Sequence, residues 1–223
     1  MYTKENLLKW YDESYCLAAV KQTGNNLQYV KNQTGNICLE AIKQDVYNLK
    51  YVKNQTEEIC FIAVKQNGYS LQYVKNQTEE MCLEAIKQNR GALRYINNQT
   101  EKICLYAVKQ DGYALQYIKN QTEGICLEAL NQNPESIKYI NIQTEKICLY
   151  AIKQYREALR YVNTQTEDIC LYAVKQDGYA LQYIKNQTEE ICLEALNQNP
   201  ESIQYIDVLK YPEVYEKYVF MMK

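Results

Sequence analysis

Nine cysteines stand at positions 16, 38, 60, 82, 104, 126, 148, 170 and 192, one every 22 residues without a slip. A metal site needs thiolates clustered at spacings such as Cys-x2-Cys, and this spacing offers none. The chain has no histidine, so a Cys-His nucleophile is unavailable as well. Equivalent residues of stacked repeats sit roughly one helix layer apart, about 8–10 Å. That exceeds the ~7 Å that Cα atoms joined by a disulfide tolerate. The row is therefore expected to be small buried hydrophobes.

Other rows carry polar groups in the same period. Lys21, Lys43, Lys65, Lys87, Lys109, Lys153 and Lys175 share a register that Asn131 and Asn197 interrupt. Repeat proteins can read one base per repeat with stacking and polar side chains. Lys43, Lys65, Lys87, Lys109, Lys153 and Lys175 are thus the candidate contacts of a nucleic-acid reading. Glutamates in each repeat offset them. A glutamine row, Gln22 to Gln198, suits hydrogen bonds to backbone between repeats.

Tyrosines fall into two sets. Tyr29, Tyr51, Tyr73 and their equivalents fill one register throughout and read as framework. Tyr106, Tyr150 and Tyr172 stand where other repeats place Glu40, Glu84, Glu128 or Glu194, and Tyr69, Tyr113 and Tyr179 also occur in some repeats alone. Variable positions on a fixed framework are where an array presents a specific surface. Tyr and Arg are apt contact residues, so these six tyrosines with Arg94 and Arg160 are the candidate partner contacts. Ordinary surface variation explains them equally well. Nothing resembles a catalytic constellation: the recurring polar groups recur as scaffolding does, and neither enzyme activity nor a cofactor is expected.

The elements that must position these rows are short helices. A Thr such as Thr56, Thr78 or Thr188 suits an N-cap, and the glutamates after it suit the helix dipole. Ile37 with Ala41, and Cys38 with Ile42, form i,i+4 pairs on one apolar face, which Leu39 widens. A second helix of about two turns is expected after the caps Thr23, Asp45, Asn67, Asn89, Asp111, Asn133, Asp177 and Asn199, with Tyr155 the exception. Pro134 and Pro200 follow directly, which suits a first helical position. Such helices are too short to stand alone in water, so stacking on neighbours must complete each core. The spacing predicts an all-α solenoid of about nine 22-residue helix-turn-helix repeats over 15–206. Residues 1–14, with Leu7, Leu8 and Trp10, are expected to form an N-terminal capping helix. Residues 207–223, with Pro212, Val214, Tyr218, Val219, Met221 and Met222, are expected to form a C-terminal one, or a surface for a homodimer.

A longer echo overlies the short one. Residues 103–140 and 169–206 differ at Gly124/Glu190 and Lys138/Gln204 alone, which marks a duplicated block of three repeats. Lys and Arg number 25 against 27 Asp and Glu, a balance that gives no case for a general nucleic-acid or membrane-surface binder. No apolar run approaches the roughly 18–20 residues that span a bilayer, and Met1–Asn6 leads into no apolar leader core. Together with the unpaired cysteines this predicts a cytoplasmic chain. Asn-Gln-Thr sequons at Asn32, Asn54, Asn76, Asn98, Asn120 and Asn186 then recur because the repeat does.

The phrase Tyr-Val-Lys-Asn-Gln-Thr-Glu-Glu-Ile-Cys (51–60), followed by Ala-Val-Lys-Gln-Asn-Gly-Tyr (63–69) and Leu-Gln-Tyr-Val (71–74), resembles the short helical repeats of giant DNA viruses of amoebae. Those mimivirus-type repeats have no established activity. The resemblance spans roughly residues 14–206, and departs in its cysteine per repeat and its slightly shorter period. It implies a fold and a viral source, in host cytoplasm or viral factory, but no site residues. The expected function is a non-catalytic scaffold or adaptor for a protein partner. The alternative is a nucleic-acid-binding repeat protein accessory to viral nucleic-acid handling or defence.

Overall fold

A computed structural model describes residues 8–221 of the chain. Leu7, Met222 and the side chain of Met221, expected in the caps, lie outside the described residues. Nine pairs of helices follow one another from Glu13 to Tyr205, and no strand occurs among the described residues. The chain divides into two compact bodies, Met1–Ala107 with Tyr117–Lys119, and Val108–Gln116 with Asn120–Lys223. Within each body the fold is the expected helical-repeat solenoid.

The first helix of a repeat is an α-helix of ten residues, such as Glu57–Gln66 or Glu79–Gln88. Thr56, Thr78 and Thr188 cap theirs as expected, each hydroxyl oxygen accepting at 3.3 Å from the backbone N–H three residues on. Ile59, Cys60, Ala63 and Val64 are buried, which a helix turning 100° per residue places in one arc. Leu83 and its equivalents are half-buried at the edge of that arc. All nine cysteines are buried and free, as small apolar side chains.

The second helix differs from expectation. It is a six-residue 3-10 helix, for example Val46–Tyr51 or Gly68–Tyr73, and not a short α-helix. Asn48 and Val52 donate to the carbonyls three residues back, Asp45 and Leu49. Six residues must lead the chain back along a ten-residue α-helix about 15 Å long. At about 2.0 Å per residue a 3-10 helix covers ~12 Å, against ~9 Å for an α-helix of the same length. Asp45, Asn67, Asn89, Asp111, Asn133, Asp177 and Asn199 cap these helices by accepting from the N–H two residues on. Thr23 makes no such bond, and neither does Tyr155. Pro134 and Pro200 take the first helical position.

Repeats are joined by a glutamine that the sequence reading passed over as the middle of a sequon. Gln77 donates to Leu71 O of its own repeat at 3.1 Å and to Tyr95 O of the next at 2.7 Å, and accepts from Asn97 N–H at 2.9 Å. Gln33, Gln55, Gln99, Gln121, Gln143 and Gln165 make the same three bonds. Buried thiols lean on this row: Cys60 Sγ lies 3.6 Å from Gln55 Oε1, and Cys192 Sγ 3.6 Å from Gln187 Oε1. The glutamine row expected to bridge repeats does so in part, at Gln44, Gln66, Gln88 and Gln198, whereas Gln132 donates to Glu128 of its own helix. Gln88 donates to Val64 O at 3.0 Å and Lys65 O at 2.9 Å, and accepts from Gly68 N–H at 2.9 Å.

Glycine sets how closely two repeats approach. A Cβ on Gly178 would lie 2.5 Å from Ala195 O and 2.6 Å from Ser202 Oγ, and one on Gly68 would lie 2.6 Å from Ala85 O. Val46 and Arg156 occupy the same register in other repeats, where the 3-10 helix packs less extensively on the next α-helix.

At the N-terminal end a single 3-10 turn, Lys9–Tyr11, places Trp10 with ring centroids 5.4 Å from Tyr15 and 5.3 Å from Tyr29. At the other end the helix Pro212–Met221 buries Val214.

Two outcomes test these constraints. Gln77→Ala strands Tyr95 O and the Asn97 N–H, Leu71 O keeping its bond from Val74 N–H, and should lower stability by about 2–3 kcal/mol in urea titration, with faster amide exchange at Asn97; an unchanged midpoint would refute the clamp. Gly178→Ala should destabilise by about 1–3 kcal/mol through overpacking. Gly124→Ala, whose Cβ meets nothing nearer than Thr122 Oγ1 at 4.0 Å, should be neutral or stabilising by up to ~1 kcal/mol. Equal effects at the two glycines would contradict the close approach.

Candidate interaction surface

The α-helical layer exposes the side opposite the buried arc. In Glu145–Gln154, Ile147, Cys148, Ala151 and Ile152 point inward, so the 100° rotation carries Lys146, Leu149, Tyr150 and Lys153 outward. The helix Glu167–Gln176 presents Tyr172 and Lys175 in the same way. Glu145, Lys146, Leu149, Tyr150, Lys153 and Tyr172 line an open depression of about 510 Å³ between these neighbouring helices. Tyr150 and Tyr172 are thus brought together, each half-buried and presenting ring surface beside an exposed lysine.

The Tyr-for-Glu exchange also alters charge. In one glutamate repeat the ladder lysine has an intrahelical partner, Lys43 Nζ lying 3.4 Å from Glu40, while Glu84 accepts from Gln88 at 3.5 Å. In the tyrosine repeats, Tyr106, Tyr150 and Tyr172 stand three residues before Lys109, Lys153 and Lys175 and offer no carboxylate. Lys43, Lys65, Lys87, Lys109, Lys153 and Lys175 are all exposed on this layer. Lys146 pairs with Glu123 and Lys102 with Glu79, one repeat apart within their respective bodies. Tyr106 belongs to the other compact body and does not line the depression.

Tyr69, Tyr113 and Tyr179 lie on the 3-10 layer instead, and each spends a ring on the next repeat. They meet Tyr95, Tyr139 and Tyr205 edge to face at centroid distances of 6.0, 5.9 and 6.0 Å. Tyr47, which the sequence reading did not single out, packs on Tyr73 in the same way at 5.9 Å. Tyr113 donates its hydroxyl to Glu135 at 3.0 Å, and Tyr179 donates to Glu201. The Tyr113 hydroxyl, joined by Lys138, holds the Glu135 carboxyl below its ordinary range. Burial works against the Lys138 ammonium, yet its bond to Glu135 leaves it above its ordinary value. Arg94 stands 4.8 Å from the Tyr117 ring and Arg160 5.4 Å from Tyr161. These residues are therefore partly framework, a role that their variation along the sequence concealed. The signal was available: Tyr47, Tyr69, Tyr113 and Tyr179 stand 26 residues before an unvarying tyrosine.

Among the described residues no group of three or more His, Cys, Asp or Glu could hold a metal. No helix of the structure is long and apolar enough to cross a membrane.

The family model described as Domain of unknown function (DUF4116) matches the chain six times, at residues 34–78, 56–100, 78–122, 100–143, 144–188 and 166–210. The chain belongs to this family. Each match runs over two 22-residue repeats and begins at the Thr that precedes an α-helix, successive matches overlapping by one repeat where they step by 22 residues. No curated protein and no solved structure matches the chain.

Burial pushes the Cys82, Cys126, Cys170 and Cys192 thiols from 9.0 up to about 11. A folded-state value above the unfolded one gives stability that is complete below pH 9.0 and fades as pH climbs to about 11 and beyond. Thermal midpoints should therefore fall between pH 9 and 11, and native thiols should resist alkylation at pH 8 until denaturant is added. Rapid alkylation of several cysteines in the folded chain would contradict this burial.

Proposed function

We propose that the chain is a non-catalytic interaction scaffold whose outer α-layer binds a protein partner. The depression around Tyr150 and Tyr172 carries this reading. It joins two aromatic faces, the half-buried Leu149 and a lysine released from an intrahelical carboxylate. Large, stiff tyrosines on a rigid array supply contact area at little entropic cost. Among the described residues no acid, base and nucleophile stand gathered together, which supports a binding role over catalysis. The phrase-level likeness to giant-virus repeats supports a viral origin and a place in host cytoplasm.

A second reading rests on the exposed lysine row beside Tyr106, Tyr150 and Tyr172. Such a row could track a single nucleic-acid strand, with bases stacked on the rings. The intact chain used as bait, with and without nuclease and at two salt concentrations, separates the two. The scaffold reading expects a defined protein, retained after nuclease and high salt, whose capture drops at least tenfold with Tyr150→Ala/Tyr172→Ala. Capture unaffected by that double variant would overturn the assigned face. Recovery of nucleic acid alone, lost steeply as salt rises, would favour the second reading. Sedimentation of the same samples reads whether the C-terminal helix also joins two copies.

A further inference from the structure

Two registers of the outer α-layer, three residues apart, set its charge from helix to helix. In Glu123–Gln132 they hold Glu128 and Asn131, which leaves one negative charge. Glu145–Gln154 holds Tyr150 and Lys153, and Glu167–Gln176 holds Tyr172 and Lys175, one positive charge each. Glu189–Gln198 returns to Glu194 and Asn197. The order is thus negative, positive, positive, negative, and all four helices lie within one compact body. Lys21, Lys65 and Lys109 also lack a glutamate three residues before them, but the helix before or after each in the chain carries Glu40, Glu84 or Glu128. Successive helices that both keep the lysine and both lack the glutamate occur at Lys153 and Lys175 alone.

These two helices are the ones whose side chains line the depression of about 510 Å³. Lys153 and Lys175 are exposed, and among the described residues neither forms an ion pair. At the opposite, N-terminal ends of the helices the charges are acidic or already matched: Glu145, Glu167 and Asp168 stand there, and Lys146 pairs with Glu123. The depression therefore offers apolar surface at Leu149, Tyr150 and Tyr172, with unpaired cations at the C-terminal end alone.

We propose that this depression takes an acidic segment of the protein partner, its carboxylates paired with Lys153 and Lys175 and its apolar side chains laid on Leu149, Tyr150 and Tyr172. The inference rests on the outer-layer reading above and adds the partner's chemistry to it. The chain itself shows the missing pairing once, where Glu40 meets Lys43 at 3.4 Å from the register that Tyr150 and Tyr172 occupy here. Charge also bounds the occupant. Glu128 and Glu194 repel an anion on either side, so carboxylates are accepted over two helices and disfavoured beyond them. A nucleic-acid strand, negative at every nucleotide, meets both glutamates as it crosses the layer, whereas a peptide confines its charges to the two lysines. Neighbouring helices pack about 8–10 Å apart. Residues three apart on an extended segment span about 10 Å, so acidic residues with two apolar ones between them match the site.

The test uses the full chain carrying ring-labelled tyrosine, with the Tyr150 and Tyr172 signals assigned by single Tyr→Phe variants. The probes are the peptide acetyl-Glu-Leu-Phe-Glu-amide, its uncharged counterpart acetyl-Gln-Leu-Phe-Gln-amide, and oligothymidylate. The acidic peptide should shift both ring signals and bind about fivefold tighter than the glutamine peptide, the margin that two exposed ion pairs supply. That margin should close in Lys153→Gln/Lys175→Gln and as salt rises. Lys65→Gln, in the other compact body, should keep it. Equal binding of the two peptides, or a margin untouched by the double lysine variant, would overturn the acidic partner while leaving the tyrosine face in place. No shift from either peptide would overturn it too, and the capture experiment with Tyr150→Ala/Tyr172→Ala then decides the face by itself. Oligothymidylate shifting the same signals at lower concentration than the acidic peptide would overturn it in favour of a nucleic-acid strand.

Discussion

One side-chain amide holds successive repeats in register. From Gln33 to Gln165 the glutamine of each inter-repeat loop places both N–H donors and its oxygen on backbone groups of two repeats, at 2.7–3.1 Å in Gln77. A six-residue 3-10 helix ends with carbonyls that its own turns cannot satisfy. Leaving them unpaired between stacked repeats would cost free energy at every layer. Glutamine is suited to the task, because one planar group both donates twice and accepts. Asparagine lacks the reach, and glutamate would set a carboxylate against two carbonyl oxygens.

That clamp fixes the neighbours of each residue and hence what the remaining registers can be. From Ala41 to Ala195 the alanine of each repeat is fully buried, because any larger side chain would force apart layers that the glutamine draws together. Cysteine beside it is small, apolar and a weak donor, which suits a side chain wedged against the clamp. Glycine at the start of the 3-10 helix permits the closest approach, and Val46 or Arg156 opens it again.

The period, the helix caps and the buried cysteines were legible because each follows from residue type and spacing alone. The 3-10 character was not. Six residues with an Asx cap and a proline suit either helix, and the choice is made by the distance to be covered alongside a ten-residue α-helix. The glutamine clamp was hidden by the sequon around it, although Gln143 and Gln165 persist where the sequon asparagine becomes Ile142 or Thr164. Tyr150 and Tyr172 were legible as exposed variation, and their meeting in one depression follows from adjacent helices. That Tyr69, Tyr113 and Tyr179 also pack on the next repeat was not legible in their variation. Their partners lie 26 residues on, a separation that becomes a contact when a 22-residue period is stacked.

Variation along the array therefore has two meanings. On the outer α-layer, exchanging Glu for Tyr touches no clamp and changes only what the surface presents. On the 3-10 layer, each tyrosine packs on the next repeat, so its variation must be answered one repeat away. Lys138 shows one such answer, its ammonium within 5.5 Å of the Tyr113, Tyr139 and Tyr161 ring centroids. Tertiary packing, with loop bonds already satisfied, does not require a cation at Gln72, since Gln182 folds back in the same manner at 3.0 Å. A cation before the framework tyrosine is therefore an option that the fold permits, as at Lys50, Arg94, Lys138 and Arg160, and not a condition of stacking.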